Sequence, residues 1–250
     1  MAKIGLIVGS GALAGHPDWD FGWQEVGGRE TAFGDASAAL KVGGFAGHEV
    51  LALARHGQPH RYAPHAVNYR ANLCLLNDAG AELVLALNTV GGISQEAVTE
   101  SLLVPDQIID YTWGRVLSFN ADDDVRHIDF TEPYDTRLRA RLLAAATAAQ
   151  ISVIDGGVMG VTQGPRLETA AEIQRMARDG CAMVGMTGMP EAVLARELDL
   201  PLAALAMVVN PAAGLASEVI DMADIHRASA NAMASAARLV RAFLEAFQGL

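Results

Sequence analysis

Cysteine is nearly missing from this chain. Its 250 residues include two, Cys74 and Cys181, with no CxxC spacing. That excludes a small disulfide scaffold and reads as two buried, reduced thiols. Basic charge is also scarce, with 18 Lys and Arg against 29 Asp and Glu and a net charge of −11. The longest basic cluster is the interrupted Arg137, Arg139, Arg141, so an acidic surface of this kind excludes nucleic acid as a partner. No apolar run approaches the ~20 residues that cross a bilayer, so a soluble, cytoplasmic protein with no membrane partner is expected. Repeats, charge blocks and low-complexity linkers are missing too, which predicts one domain over residues 1–250. What is present is apolar: 51% hydrophobic and 19% charged residues, enough to exclude intrinsic disorder.

Strand-like apolar runs alternate with helical patterns, the signature of a layered α/β domain. Ile4 to Val8, Val50 to Ala54, Leu83 to Leu87, Val153 to Val161, Ala182 to Met186 and Leu202 to Val209 read as strands. Helices are predicted over 66–79, closed by Gly80, over 135–150 with Asp135 as N-cap, over 168–179 stopped by Gly180, and from Pro190 to Leu198. A long helix from about Ala223 keeps Ile225, Ala232, Ala236, Leu239, Phe243 and Phe247 at helical spacing. Residues 16–48, rich in glycine and aromatics without a clear period, read as loops and hairpin strands.

Several strands end in small or polar residues: Ser10, Arg55 and His56, Asn88, Thr187 and Asn210. In open α/β sheets ligands bind beyond such ends, although any single polar residue there also suits an ordinary turn. The run Gly9-Ser10-Gly11-Ala12-Leu13-Ala14 matches the dinucleotide pattern GxGxxG/A. A dinucleotide site also needs a helix directly after the glycines, whereas Pro17, Gly22, Gly27 and Gly28 follow. Backbone N–H groups with the Ser10 hydroxyl suit a single phosphate instead. Arg55 offers a planar fork of donors for such an anion, and His60, Arg61 and His65 lie close by in sequence. The seven histidines lack metal-ligand spacing on a helix, so no metal is expected.

Read as a set, six segments resemble the trimeric purine nucleoside phosphorylase and 5'-methylthioadenosine phosphorylase family. They are ARHGQPHRYAPHAVNYRANL at 54–73, LALNTVGGI at 85–93, DQIIDYTWGR at 106–115, HIDFTEPYD at 127–135, GVTQGPRLETAAEI at 160–173 and VGMTGMPEAVLARELDLPLAALAMVVNPAAG at 184–214. The resemblance implies an α/β nucleoside phosphorylase fold with a mixed central sheet flanked by helices. It also implies phosphate-dependent cleavage of an N-glycosidic bond and a homotrimer that uses no metal or organic cofactor, inorganic phosphate being a co-substrate. By the same resemblance Ser10, Arg55, His56, Asn88, Thr89 and Thr187 correspond to phosphate-binding positions. Met186 corresponds to the residue against the ribose, Leu167 to a family Phe on the purine face, and His127 to a residue reaching a neighbouring subunit's site.

Two departures from the family pattern bear on the base. Asn210 and Ala212 stand where adenosine-type members carry two Asp residues. An Asn amide can donate to a 6-oxo group and its carbonyl can accept from a protonated N7. Glu168 stands where the family has Ser, and its carboxylate can accept the N1–H that only a 6-oxopurine presents. On the sugar side the resemblance aligns Met222 and Ile225 with the family's 5' pocket, where apolar side chains suit a methylthio group by burial, while a one-residue shift would install His226 and favour a 5'-hydroxyl. The expected reaction converts S-methyl-5'-thioinosine and phosphate to hypoxanthine and 5-methylthioribose 1-phosphate. Asn210, Arg55 and His56 are the expected catalytic residues. Methylthioadenosine, inosine or guanosine are the alternative substrates, and a non-catalytic purine sensor is the alternative of another class.

Overall fold

The computed structural model describes residues 1–9, 17–120, 125–216 and 222–250. Apolar alternation sets its layers. Along β1 (Lys3–Val8), Ile4, Leu6 and Val8 face one side of the sheet and Ile7 the other, as the two-residue strand period requires. A 3-10 turn at Pro17–Trp19 leads to β2 (Gln24–Val26), β3 (Glu30–Thr31), β4 (Gly34–Asp35), β5 (Leu40–Phe45) and β6 (His48–Ala54). After a second 3-10 turn at Pro64–Ala66 come α1 (Tyr69–Asp78), β7 (Leu83–Gly92), β8 (Leu102–Val104), β9 (Gln107–Asp110) and α2 (Thr136–Ala148). The remainder is β10 (Ile154–Asp155), β11 (Val158–Val161), α3 (Ala170–Arg178), β12 (Cys181–Gly185), α4 (Glu191–Glu197), β13 (Leu202–Pro211) and α5 (Met222–Ala246).

The mixed sheet runs β10-β8-β13-β7-β1-β6-β5-β2, with β12 joining the far end of β7 and β11 linking β12 to β9. β6, β1, β7 and β13 are mutually parallel at its centre. One face packs against α2 and α5 through Leu138, Leu142, Ala236, Leu239 and Phe243. The other packs against α1 and α4 through Leu73, Leu76, Ala192 and Leu194. Covering both faces explains why the central strands read as continuous apolar runs.

The predicted elements are present, with altered ends. Asp135 caps α2 by accepting from the Leu138 N–H at 2.9 Å. The helix predicted from residue 66 begins at Tyr69, because Asn68 caps it by accepting from the Ala71 N–H. The strand predicted over Val153 to Val161 is two strands, divided where Gly156 and Gly157 turn to φ of +87° and +104°, a region glycine enters freely. α3 starts after Thr169, which forms a reciprocal capping box with Glu172. Glu168 therefore stands outside the helix.

Candidate active site

Parallel pairing brings the C-terminal ends of four strands to one edge. Val8 lies opposite Ala54, Ile7 opposite Ala86, and Ala206 opposite Asn88. Just past these levels Gly9, Arg55, His56, Thr89 and Asn210 line one cavity of about 840 Å³, together with Met186 and Thr187 beyond β12. Leu167, Glu168, Ala212 and Ile225 line it as well. Residues scattered over most of the chain thus meet where an open α/β sheet offers its crevice.

At one end of the cavity sits a buried ion pair. Arg55 is 2% exposed and Glu191 is fully buried. Nε donates to Glu191 Oε1 at 2.6 Å, Nη2 to Oε2 at 2.9 Å and Nη1 to the Leu87 carbonyl at 2.8 Å. Buried Asn88 satisfies its neighbours in one amide orientation. Nδ2 donates to the Ala86 carbonyl at 3.1 Å, and Oδ1 accepts from Arg55 Nη2 at 3.3 Å and Thr187 Oγ1 at 2.9 Å. Asn88 thereby stands behind the cavity, holding Thr187 and Arg55, while Thr89 is exposed into it. A guanidinium has five N–H donors, and these contacts leave one on Nη1 for a ligand.

His56 is changed more. Its Nδ1 lies 2.9 Å from the Tyr62 carbonyl, which only accepts, so Nδ1 carries the proton and Nε2 is left as an acceptor. Burial, and after it the Arg55 charge, pushes the imidazole pKa down to about 4. The His60 ring stacks on it at 4.5 Å. The donor fork expected of Arg55 is thus shared between the protein and the cavity, which both Arg55 and His56 line. The fork edge is committed to Glu191, and His56 is neutral near pH 7, able to accept from a protonated phosphate oxygen.

Elsewhere the cavity wall carries a carboxylate and an amide, Glu168 and Asn210. Glu168 Oε1 accepts from Thr162 Oγ1 at 2.5 Å. Between Val208 and Asn210 the register of β13 against β7 shifts by one residue. Such a bulge re-aims the side chains that follow it, and both Val209 and Asn210 line the cavity. Asn210 Nδ2 donates to the Pro211 carbonyl at 2.6 Å. Leu167 is 43% exposed and lies at the cavity wall beside Pro165 and Glu168. Along α5, Ile225, His226, Ser229 and Met233 line the same space. Ser10 and the Met222 side chain lie outside the described residues. His127 is exposed and does not line the cavity within one chain.

Sequence reading missed Ser229 and Met233 on the cavity wall, and behind that wall it missed Glu191 and Thr162. Glu191 reads as an ordinary acid in a first helical turn, and Thr162 as the polar end of a strand. Their positions inside the segments MPE and VTQGPRLE were the available signal. Among the described residues, no group of three or more His, Cys, Asp or Glu is placed to hold a metal. No helix among them is long and apolar enough to cross a membrane.

Comparison with known proteins agrees with this geometry. Residues 3–245 match the family described as the Phosphorylase superfamily. A probable S-methyl-5'-thioinosine phosphorylase of Pseudomonas syringae pv. tomato is 55% identical over 205 residues, 81% of this chain and 83% of that one. An S-methyl-5'-thioadenosine phosphorylase of Mycobacterium tuberculosis is 41% identical over 217 residues, covering 86% and 80%. The crystal structure of a methylthioadenosine phosphorylase from an antarctic soil metagenomic library superimposes with a TM-score of 0.89 at 28% identity, over 97% of this chain and 85% of that one. With strand ends, cavity and sequence in agreement over nearly its whole length, the chain belongs to the phosphorylase superfamily.

Proposed function

We propose that this protein catalyses the phosphorolysis of S-methyl-5'-thioinosine, releasing hypoxanthine and 5-methylthioribose 1-phosphate for purine salvage. The observation that carries this reading is that Glu168 and Asn210 line the same cavity as Arg55, His56, Thr89 and Thr187. A carboxylate and an amide suit N1–H, O6 and N7 of a 6-oxopurine at one end, and hydroxyl and N–H donors suit phosphate at the other. The name of the Pseudomonas relative supports the same base and sugar.

In this reading Arg55, His56, Thr89 and Thr187, joined by the Ser10 hydroxyl that the family resemblance assigns and backed by Asn88, hold phosphate below C1' of the ribose, so the attack is oriented in advance. The C1'–N9 bond breaks with its electron pair moving into the purine ring, and a phosphate oxygen bonds to C1'. The phosphate charge stabilises the oxocarbenium-like sugar between the two events. Asn210 steadies the purine as N7 takes a proton. Met186 lies against the ribose, Ile225 serves the methylthio group together with Met222 as the resemblance implies, Ala212 stands beside Asn210 at the base, Leu167 covers the base, and no side-chain nucleophile, metal or organic cofactor takes part. The chain works as a single domain in a cytoplasmic homotrimer, with His127 reaching toward a neighbour's 5' substituent. A second reading, phosphorolysis of inosine or guanosine, is favoured by His226 and Ser229, which bring polar atoms to the sugar end.

The deciding assay incubates the protein with phosphate and methylthioinosine, methylthioadenosine, inosine or guanosine, and measures the released base by chromatography. Methylthioinosine is expected to be cleaved fastest, and only with phosphate present. Equal or faster release from inosine would transfer the assignment to the second reading. Purine binding without turnover would make the protein a sensor.

A further inference from the structure

One guanidinium outside the cavity ties its walls together. Arg115, half-buried after β9, donates Nη1 to the Met189 carbonyl at 2.5 Å and to Tyr69 Oη at 3.3 Å. Its Nη2 donates to the carbonyls of Thr162 and Gln163, each at 3.1 Å, and of Met186 at 3.0 Å. The guanidinium carbon stands 5.5 Å from the centre of the Tyr69 ring. Four of the five acceptors are main-chain carbonyls, and they come from the ends of β11 and β12 and the approach to α4.

Three of the four carbonyls lead to a side chain in the site. Thr162 donates its hydroxyl to Glu168. Met186 lines the cavity and precedes Thr187. Met189 is two residues before Glu191, whose carboxylate fixes Arg55. Tyr69 Oη donates to the Pro64 carbonyl at 2.8 Å, and Pro64 is part of the cavity wall. Arg115 itself does not line the cavity. Lysine could not replace it, since an ammonium is a compact charge with three donors and lacks the planar fork that meets several carbonyls at once.

We infer that Arg115 is a positioning residue that sets the base-reading and phosphate-binding ends of the cavity in register with one another. The inference rests on the proposed reading of Glu168 as a base contact and of Thr187 and Arg55 as phosphate contacts. Because a single group serves both ends, its loss moves two parameters that have no contact with Arg115: preference for a 6-oxo over a 6-amino base, and KM for phosphate. A residue needed only for folding lowers the amount of active protein, which changes neither a ratio of two substrates nor a KM.

The test compares wild type with Arg115→Met and Arg115→Lys, measuring kcat/KM for methylthioinosine and methylthioadenosine and KM for phosphate on soluble protein. In Arg115→Met the preference is expected to fall, and KM for phosphate to rise, each on the order of tenfold, as misplacement of reacting groups produces. Arg115→Lys is expected to lie between, and it keeps the test alive should Arg115→Met fail to fold. Both parameters staying within about twofold of wild type in a soluble variant would overturn the inference. Wild-type protein without preference for methylthioinosine would instead fail the functional reading. Arg115 is then still judged by KM for phosphate, measured with whichever nucleoside wild type cleaves best.

Discussion

Arg55 and Glu191, 136 residues apart, meet in a buried two-point ion pair at 2.6 and 2.9 Å. The pair fixes the orientation of the guanidinium where we propose phosphate binds. Removing one member of such a pair leaves a buried charge uncompensated, at a cost of ~3–5 kcal/mol. Glu191→Gln keeps the shape and loses the charge, so urea unfolding is expected to show a destabilisation in that range. In protein that remains folded, KM for phosphate is expected to rise more than KM for the nucleoside, and steady-state kinetics with each substrate varied in turn checks this.

In the proposed reading Asn210 offers both a donor and an acceptor to the base, whereas Asp would offer only acceptors. Asn210→Asp is expected to reduce the kcat/KM ratio of methylthioinosine over methylthioadenosine by about tenfold or more, since a buried polar mismatch discriminates strongly. Competition between the two nucleosides in one reaction reads the ratio directly. An unchanged ratio would remove Asn210 from base selection.

His56 links stability to pH. Its pKa in the fold is about 4, below the ~6.5 of an unfolded chain, so between these values the unfolded state binds more protons. The stability held by neutral His56 is complete above pH ~6.5 and is lost as pH falls toward about 4. In phosphate-free buffer the Tm of wild type is expected to fall more steeply across this window than that of His56→Gln. Thermal melts at closely spaced pH values provide the comparison, and parallel curves would show that His56 is not the responsible group.

Gly92 ends β7 where no side chain fits. A Cβ there would stand 1.8 Å from the Ala97 carbonyl oxygen, and the Gly92 carbonyl accepts from the N–H of Ala212, a cavity residue, at 2.8 Å. Gly92→Ala must move main chain, so it is expected to destabilise at or beyond the ~1–3 kcal/mol of ordinary overpacking. Denaturant titration measures the loss, and activity measured well below the melting temperature is expected to fall with it.

Periodicity and capping chemistry are local, and they were legible along the chain. Alternating Ile4, Leu6 and Val8, the Asp135 cap, and Gly80 closing α1 at φ +84° needed no knowledge of distant residues. The polar strand ends Arg55, Asn88, Thr187 and Asn210 could be listed as candidates for the same reason, since a strand's end is a local event. Their chemical states depended on neighbours supplied by the fold. Arg55 looked like a free cation until α4 brought Glu191 against it. His56 looked ionisable until burial and the Tyr62 carbonyl fixed its tautomer. Arg115 carried no local signal at all, because its five acceptors lie 46 to 74 residues away. Charge pairing, desolvation and multi-carbonyl coordination are properties of proximity in space, so residue type and spacing specify the elements and packing specifies what each functional group can do.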